Sequence, residues 1–230
     1  MQLNVRDAAR LLSISEKTIY RWINQGNLPA YRVNEQYRFN RAELLEWATA
    51  RKIRVSPEIF EEPEEASGRP LGLVEALRTG GIFYRLEGQD RESVLRAIVD
   101  NLRLPEEVDR EFLFRVLLAR EALESTGVGD GIAFPHVRNP IVLHVPRPTV
   151  TLFFLERPVD FKAIDGKPVF ALFTLISPAV RAHLHLLSRL AYFLRDPGFK
   201  KVILRQGSRE DILDEAQRVE SAVQARGPGR

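Results

Sequence analysis

The sequence predicts an α/β (α+β) protein with two domains. The first is a small helical domain with a β-hairpin, and the second is a mixed sheet covered by helices on both faces. The 230 residues are enough for two domains. Residues 1–52 contain two short amphipathic segments and an aromatic hairpin pattern, whereas helical and strand patterns alternate over residues 70–222. Such alternation is typical of helices that pack against a sheet.

Composition and charge exclude several kinds of protein. The chain is 44% hydrophobic and 28% charged, and it has no signal-peptide core and no apolar run that could span a bilayer, so we expect a cytoplasmic protein without a membrane partner. The lack of cysteine excludes disulfides, thiol nucleophiles and cysteine-based zinc sites. Residues 1–52 hold nine Lys/Arg against five Asp/Glu, whereas the remainder holds 25 against 26. The basic first domain therefore fits a nucleic-acid partner.

The N-terminal residues predict two short helices joined by a turn. Asn4 can cap a helix from Val5 to about Leu12, and Ser15 can cap a second helix that ends near Gly26. Two helices with a three-residue turn between them indicate a helix-turn-helix. The spacing of the second helix separates inward from outward residues: Ile19, Trp22 and Ile23 against Lys17, Thr18, Tyr20, Arg21 and Asn24.

A hairpin and a closing helix complete the first domain. Segments 28–33 and 37–39 are rich in aromatic and β-branched residues and flank the polar turn 34–36, which predicts a small hairpin with Arg32 and Arg38 as a basic wing. Asn40 and Glu43 form a capping-box-like start for a last helix. The residues of this helix that are expected to point inward are Leu44, Leu45 and Trp47.

This order of elements, with Gly-Asn-Leu-Pro-Ala at 26–30, resembles the winged helix-turn-helix of excisionases and MerR-type regulators. The resemblance implies that part of the outward face meets the major groove of double-stranded DNA and that the wing contacts backbone phosphate, with these residues: Lys17, Thr18, Tyr20 and Arg21, then Arg32 and Arg38. The alternative is a three-helix module with solvated charges. We favour DNA binding because no acidic residue follows Glu16 on that face. So small a module buries little surface alone, which predicts a homodimer or tandem sites.

Residues 53–69 predict an acidic linker. The stretch 53–68 has five glutamates and two prolines but only one basic residue, Arg54. Proline and clustered like charge favour an extended segment. A simple tether is the preferred interpretation. The alternative is an acidic strip that covers the basic helix of the first domain in one signalling state.

The first half of the second domain, residues 70–222, alternates helices and strands. We expect a helix over 73–77, a strand over 82–86, a helix over 91–102 capped by Asp90, and a helix that starts at Pro105 and runs to about Leu123. The core face expected for this last helix consists of Phe112, Leu113, Val116 and Leu117.

The second half continues the alternation. A strand is predicted over 149–155, a tight turn near 160–168, and a central strand over 169–177 because that run is nearly all apolar. Helices are predicted to open at Ala182, at Asp196-Pro197 and at Ser208, the last one ending near Val223. We expect the tail, residues 223–230, to be disordered.

The most distinctive stretch is Ser-Thr-Gly-Val-Gly-Asp-Gly-Ile-Ala-Phe-Pro-His at 125–136. The segment is too polar and too often interrupted by glycine for a strand or a helix. The alternating glycines allow backbone N–H groups to turn toward a common point. Pro135 then stiffens the backbone immediately before His136. The segment is therefore a plausible place to hold a phosphoryl group on a histidine.

These twelve residues resemble the active-site loop of type-2 enzyme IIA domains of the sugar phosphotransferase system, most closely the nitrogen-regulatory branch. The segment 160–169, Asp-Phe-Lys-Ala-Ile-Asp-Gly-Lys-Pro-Val, also looks like the family's. The resemblance implies that His136 takes a phosphoryl group from the phosphocarrier HPr, assisted by Arg120 and by His183 of the His-x-His pair. Loop residues expected to bind the phosphoryl oxygens are Ser125, Thr126, Gly127, Gly129 and Gly131. The match departs at Val137, where a small residue is usual, and its branched side chain is expected to narrow the approach of the donor.

The other histidines receive structural interpretations. His185 points about 200° away from His183 around a helix axis. His144 is expected to be a strand or loop residue. No acidic or cysteine cluster accompanies the His-x-His pair, so we expect no metal site and no cofactor.

Together these patterns predict a bacterial-type regulator that accepts a phosphoryl group on His136 and binds DNA. Its expected partners are an HPr-like phosphocarrier, double-stranded DNA and regulated proteins. One alternative is a phosphocarrier whose helix-turn-helix docks proteins. Another is a transcription factor whose IIA-like domain is no longer phosphorylated. No permease or IIB-like segment is present, which disfavours direct sugar transport by this chain.

Overall fold

The chain forms two compact units, Met1–Gly68 and Arg69–Arg230. The structure, a computed structural model, describes residues 2–33, 36–40, 44, 47–48, 51, 53, 72–137 and 145–225. The linker from residue 54 on, Glu43, Leu45, His144 and the tail beyond residue 225 lie outside the described residues. Within the described part of the chain, every helix is too short or too polar to cross a membrane.

The first unit forms the predicted pair of short helices beside a small antiparallel sheet. The described elements are helices Val5–Leu11 (α1) and Glu16–Asn24 (α2) and strands Gln2–Leu3 (β1), Tyr31–Val33 (β2) and Gln36–Asn40 (β3). The predicted caps are confirmed, since Asn4 accepts from the Asp7 amide at 2.9 Å and Ser15 accepts from the Thr18 amide at 3.2 Å. The sheet order is β1-β3-β2, and the sequence patterns gave no sign of β1. Leu44 and Trp47 are helical and buried, as predicted.

The second unit is built on a mixed sheet of five strands. These are Ile82–Leu86 (β4), Gly127–Gly129 (β5), Ile132–Ala133 (β6), Thr149–Val159 (β7) and Val169–Ile176 (β8). Their order is β4-β7-β8-β6-β5, with β7 antiparallel to β8 and β6 parallel to it. The nearly all-apolar strand β8 occupies the centre of the sheet, as predicted, because strands covered on both faces carry apolar residues at every position.

Helices cover both faces of this sheet, which confirms the predicted architecture. The described helices are Leu73–Gly80 (α3), Arg91–Asn101 (α4), Arg110–Leu123 (α5), Val180–Phe193 (α6), Pro197–Leu204 (α7) and Arg209–Ala225 (α8). Alternate residues of β7 enter separate cores: Leu152 and Phe154 pack with α3, α6, α7 and α8, whereas Phe153 and Leu155 pack with α4 and α5.

Several predicted helix boundaries and one predicted core position differ from the structure. Helix α3 runs to Gly80 instead of Leu77, and α6 begins at Val180 instead of Ala182. Helix α5 begins at Arg110 instead of Pro105, because the Asp109 side chain accepts from the Phe112 amide at 2.9 Å and the residues from Pro105 to Val108 form a turn. Phe112 is 39% exposed and does not join the core. Helix α8 runs to Ala225, two residues past the expected end.

Candidate functional site

His136 lies on an extension of strand β6 along the central strand. Ile132 pairs with Ala171, Ala133 pairs with Leu172, and a further bridge joins His136 to Leu175 at the same parallel offset. The chain therefore stays extended between Ile132 and His136. His136 is only 3% exposed at the end of the sheet where β8 finishes.

Helix α6 brings a second imidazole against the first. His183 lies in the first turns of α6 and is 1% exposed. The ring centroids of His136 and His183 are 5.3 Å apart, with 39° between the ring planes. The structure therefore brings together the two histidines that the resemblance paired. Two adjacent imidazoles in a buried site can share the work of bonding and orienting one anionic group.

A backbone contact fixes the proton on the His136 ring. Nδ1 lies 2.5 Å from the carbonyl oxygen of Phe134. A carbonyl oxygen only accepts, so Nδ1 must carry the hydrogen and donate it. In the neutral ring this leaves the lone pair on Nε2, which is the atom chemically suited to act as a nucleophile.

The glycine-rich stretch forms a β-hairpin, so the expectation that it is neither strand nor helix was wrong. β5 and β6 pair in an antiparallel manner around the two-residue turn Asp130-Gly131. Both turn residues have positive φ, 57° for Asp130 and 74° for Gly131. Asp-Gly is a favoured pair for such a hairpin turn, because both positions must adopt left-handed backbone conformations.

The tip of this hairpin, Asp130-Gly131, lies far from His136. His136 lies five residue steps beyond Gly131 along extended chain, or about 16 Å at 3.3 Å per residue. An internal contact explains the need for glycine at 131, because a Cβ there would meet the Phe170 ring at 2.5 Å. The geometry therefore does not favour the expected contact of Gly129 and Gly131 with a phosphoryl group on His136.

Charged groups hold the tip in place at its end of the sheet. The Lys200 ammonium lies 2.7 Å from Asp130 Oδ2, and the Asp130 amide donates to Asp165 Oδ2 at 2.8 Å. The Asp130 amide, followed by the amide and charge of Lys167, holds the pKa of Asp165 below its usual value. The tip is therefore attached to α7 and to the turn before β8.

The open end of the hairpin, Ser125 and Thr126, lies beside the histidine segment. The Phe134 amide donates to the Thr126 carbonyl at 2.9 Å. The Thr126 amide donates to Glu121, and the Gly127 amide donates to Ser125 Oγ at 3.0 Å. The N–H groups of Thr126 and Gly127 thus have internal acceptors, which makes this end a rigid support and not the expected cradle of amides.

Arg120 is buried at the C-terminal end of α5, immediately before this open end. It is 6% exposed, and its guanidinium donates to the Glu124 carbonyl at 2.8 Å. Beyond the pair Gly127 and Ala133, the bond from the Phe134 amide to the Thr126 carbonyl brings the chain that follows α5 alongside the histidine segment. The same end of the sheet therefore holds Arg120, Thr126 and both histidines.

Glu121 is a buried residue of this site that the sequence analysis missed. Its carboxylate accepts from both the amide and the hydroxyl of Thr126, the latter at 2.5 Å. Burial raises the pKa of Glu121, while the Thr126 bonds and the nearby Arg91 and Arg120 oppose that shift. A signal was present, because position 121 lies one helical turn after Leu117 on the apolar face of α5.

The position of Val137 does not support the expectation that its side chain narrows the approach to His136. Its side chain is fully buried in the core formed with α4 and α5 and lies with Ala133 and Phe153. Side chains of an extended chain alternate between faces, so Val137 points away from the side that carries His136. The branched residue therefore fills a core position, and its side chain lies away from the imidazole.

The outward face of α2 forms a second candidate site, in the first unit. Lys17 and Arg21 are exposed, and Tyr20 is 45% exposed. These three residues line a shallow cleft together with four neighbours on or beside α2, which are Ser15, Thr18, Asn24 and Gln25. The Thr18 hydroxyl lies 3.0 Å from Ser15 Oγ, so it also serves the helix cap.

The hairpin of the first unit packs beside this face. The rings of Tyr20 and Tyr37 meet edge to face with centroids 6.2 Å apart. Arg38 is half-buried, and its guanidinium donates to Gln36 Oε1 at 2.6 Å. Arg32 lies in strand β2, and its side chain is not among the described ones. Of the two arginines predicted to form the basic wing, the structure therefore describes the side chain of Arg38 only.

His185 occupies a different environment from His183 on the same helix. Burial, followed by the charges of Arg189 and Arg181, lowers the pKa of His185 to about 4. Among the described residues, no three histidines, aspartates or glutamates are grouped as metal ligands.

Comparison with known proteins matches each unit to a family. Residues 75–218 match the family described as phosphoenolpyruvate-dependent sugar phosphotransferase system, EIIA 2. Residues 3–52 match a helix-turn-helix domain.

Individual relatives agree with the match of the second unit. The nitrogen regulatory protein of Pseudomonas aeruginosa is 39% identical over 126 residues, which cover 53% of this chain and 79% of that protein. The nitrogen regulatory protein of Escherichia coli is 37% identical over 134 residues, covering 56% and 78%. The crystal structure of nitrogen regulatory protein IIA-Ntr from Neisseria meningitidis superposes with a TM-score of 0.52 at 30% identity, covering 59% of this chain and 92% of that one.

Proposed function

The chain belongs to the phosphoenolpyruvate-dependent sugar phosphotransferase system EIIA 2 family and also has a helix-turn-helix domain, and on this basis we propose a phosphorylation-responsive transcriptional regulator. In this proposal His136 accepts a phosphoryl group from an HPr-like phosphocarrier. The first unit binds double-stranded DNA. The observation that carries the proposal is the buried pair of imidazoles, 5.3 Å apart, in which the tautomer of His136 is fixed by Phe134.

The transfer uses the lone pair on His136 Nε2. Nε2 attacks the phosphorus of a phosphohistidine on the carrier, so that a new P–Nε2 bond forms as the carrier's P–N bond breaks. The electron pair of the broken bond returns to the carrier's imidazole. The Nδ1 proton stays in place, and the Phe134 carbonyl that accepts it stabilises the positive charge that the ring gains.

In this proposal two side chains stabilise the phosphoryl oxygens. The Arg120 guanidinium offers up to five donors in a planar fork, which suits a phosphate geometry. His183 supplies a second imidazole at the ring of His136. Ser125, Thr126 and Gly127 act in this proposal by holding the segment 134–136 rigid, so that little reorganisation accompanies transfer.

DNA binding is assigned to the exposed face of α2 and to the wing. Lys17 and Arg21 are free of acidic neighbours on that face after Glu16, and Arg21 is suited to read guanine edges. Thr18, Tyr20, Arg32 and Arg38 add contacts to bases or phosphates. A single small module has little contact area, so we expect two copies to bind together.

Phosphorylation is tested by incubating the full chain with phosphoenolpyruvate, enzyme I and HPr-type carriers, including a nitrogen-type carrier. Intact mass recorded under non-acidic conditions should show one phosphoryl addition. His136→Ala should remove it, whereas His185→Asn should keep it, since His185 lies away from the pair. A wild-type chain that stays unmodified with every carrier contradicts the proposal and favours a IIA-like domain that only binds proteins.

DNA binding is tested by fluorescence anisotropy with duplex DNA over a range of salt concentrations. We expect affinity to fall steeply with salt and Arg21→Ala to weaken it. Arg10→Ala is the matched control, because Arg10 is an exposed arginine on α1 outside the proposed face. Equal losses for the two variants, or binding that ignores salt, would favour a helix-turn-helix that docks proteins.

A further inference from the structure

A cleft in the second unit is lined by three arginines and, among the described residues around it, by no acidic side chain. Its volume is about 510 Å³, and Arg78, Arg103 and Arg147 line it over an apolar floor of Leu104, Val145 and Ile176. These residues come from the end of α3, the segment after α4, and the segments around the start of β7 and the end of β8. A volume of this size falls in the range of small-molecule sites, which is roughly 300–1,000 Å³.

Arg103 is held in position by two contacts. Its guanidinium donates to the Thr79 carbonyl at 3.4 Å and lies 5.7 Å from the centroid of the Phe83 ring. Gly81 permits this packing, because a Cβ at that position would lie 3.2 Å from Arg103 Cζ. The positive φ of Gly81, 94°, also favours glycine there. An arginine that is ordered before a ligand arrives loses less side-chain entropy on binding.

The charge of the cleft is not offset locally. No ion pair within the described part of the chain engages Arg78 or Arg147, and both are exposed. Residues 53–230 as a whole carry 25 basic against 26 acidic side chains, so a cleft lined by three arginines and by no described acidic side chain is a local concentration of charge. Low-dielectric walls focus such a field toward an anion.

The cleft opens at the same end of the sheet as the histidine pair. Ile176 follows Leu175, which bridges to His136, and Ile176 pairs with Thr149 at the start of β7. An anion in the cleft would therefore lie about one or two strands, or roughly 5–10 Å, across the sheet from the strand that carries His136.

We infer that this cleft binds a phosphate-bearing small molecule of nucleotide size. Guanidinium forks match phosphate oxygens, the Thr149 hydroxyl at the rim adds a donor, and the apolar floor suits the organic part of the ligand. The concave shape and apolar floor favour a small anion over an acidic protein surface. The inference goes beyond the proposed function, since it rests on the cleft alone and requires no phosphorylation of His136.

The test is calorimetric titration of the unphosphorylated full chain with ATP, inorganic triphosphate and adenosine. We expect ATP to bind more tightly than triphosphate, adenosine to give no heat, and affinity to fall with salt. Arg103→Gln and Arg147→Gln should each weaken ATP binding about tenfold, as expected for the loss of one charge-assisted contact. Arg115→Gln is the matched control, because Arg115 is an exposed arginine on α5 outside the cleft.

Three outcomes would overturn the inference. They are equal binding of adenosine and ATP, no heat with any phosphate probe at millimolar concentration, and equal losses in the cleft and control variants. Phosphorylation of His136 by the carrier is measured on the same variants. If Arg103→Gln slows that transfer but leaves ATP binding unchanged, the cleft is a protein-docking surface instead. ATP binding that survives His136→Ala keeps this inference separate from the proposed function.

Discussion

The two ends of the β5–β6 hairpin differ in almost every physical respect. At the open end Thr126 is buried and Ser125 is half-buried, and this end adjoins two imidazoles, Arg120 and Glu121. The tip, at Asp130-Gly131, carries a partly exposed network of lysines and aspartates. Reactive groups cluster at the first end, whereas the glycines with positive φ cluster at the second. The glycine-rich sequence next to His136 therefore encodes the hairpin as a whole. Only its first residues, Ser125 and Thr126, lie at the end that adjoins the two histidines, which we call the reactive end because of its proposed role.

The largest expected difference between the ends is in the rate of phosphoryl transfer. Arg120→Gln should slow phosphorylation of His136 by about 100-fold, because in the proposed mechanism this buried cation stabilises the charge that develops on the phosphoryl oxygens. Arg120→Lys should recover part of the rate, since the charge returns without the planar fork. Stopped-flow or quench measurements with a phosphorylated carrier provide the rates.

Lys200→Gln at the tip is the control for this prediction. It removes a cation that also lies in the second unit but about 16 Å along the hairpin from His136, and should change the rate less than threefold. Thermal unfolding confirms that both variants are folded at the assay temperature. Similar slowing by the two changes would contradict the division between the ends.

The second difference concerns stability. Gly131→Ala should lower the free energy of unfolding by about 3 kcal/mol, because it combines a positive φ with overpacking of the Phe170 ring. Phosphorylation of the folded fraction should remain near the wild-type rate. Chemical denaturation and the transfer assay measure the two quantities on the same sample.

Gly166→Ala separates the two causes. Gly166 also has a positive φ, 69°, but a Cβ there meets nothing within 4 Å. We expect it to cost only the conformational part, about 1 kcal/mol. Equal losses at positions 131 and 166 would show that the ring contact contributes nothing.

Local signals were enough to predict much of the fold. Asp90 and Asp196 capped the helices where expected, because a cap needs only a side chain and the amides two or three residues later. The apolar run of β8 predicted the central strand. The start of α5 was wrong because Pro105 suits a first helical turn as well as Asp109 suits a cap, and tertiary packing decides between them.

The site could be predicted only in part. The residues 125–136 and their family resemblance singled out His136, but periodicity alone could not pair it with His183, since that contact crosses from β6 to α6. The Asp130-Gly131 pair is typical of a hairpin turn. The sequence analysis interpreted the glycines as a loop of phosphate-binding amides and therefore did not predict this hairpin. The acceptors of the Thr126 and Gly127 amides, Glu121 and Ser125, depend on packing that no local pattern states.

On helix α6, the partly buried His185 is expected to make the stability of the fold depend on pH. The lowered pKa of His185, about 4 in the folded chain, means that the unfolded chain binds more protons between pH 4 and 6.5. Stability should therefore fall as pH drops through that window. The full shift would be worth about 3 kcal/mol, and because His185 is only partly buried we expect about 1–2 kcal/mol. His185→Asn should flatten this part of the pH profile, as measured by denaturation at pH 4.5 and 6.5.

Mutation of His136 tests whether the effect belongs to His185. His136→Asn removes the imidazole of the reactive end and leaves the surroundings of His185, with Arg189 and Arg181, unchanged. We expect that variant to keep the acid sensitivity of the wild type. A profile that flattens only with His136→Asn would move the titrating group to the reactive end.

The smallest expected effect belongs to the charges of the tip. Lys200→Gln removes an ion pair with Asp130 that is partly exposed on both sides, so the loss of stability should be about 0.5–1 kcal/mol and should shrink in high salt. Lys201→Gln is the matched control, since Lys201 is the next residue of α7 and is exposed. Denaturation at two salt concentrations measures both variants. A salt-independent loss at Lys200 would show that its hydrogen bond and packing, more than its charge, hold the tip against α7, and the two ends of the hairpin would then both depend on short-range contacts.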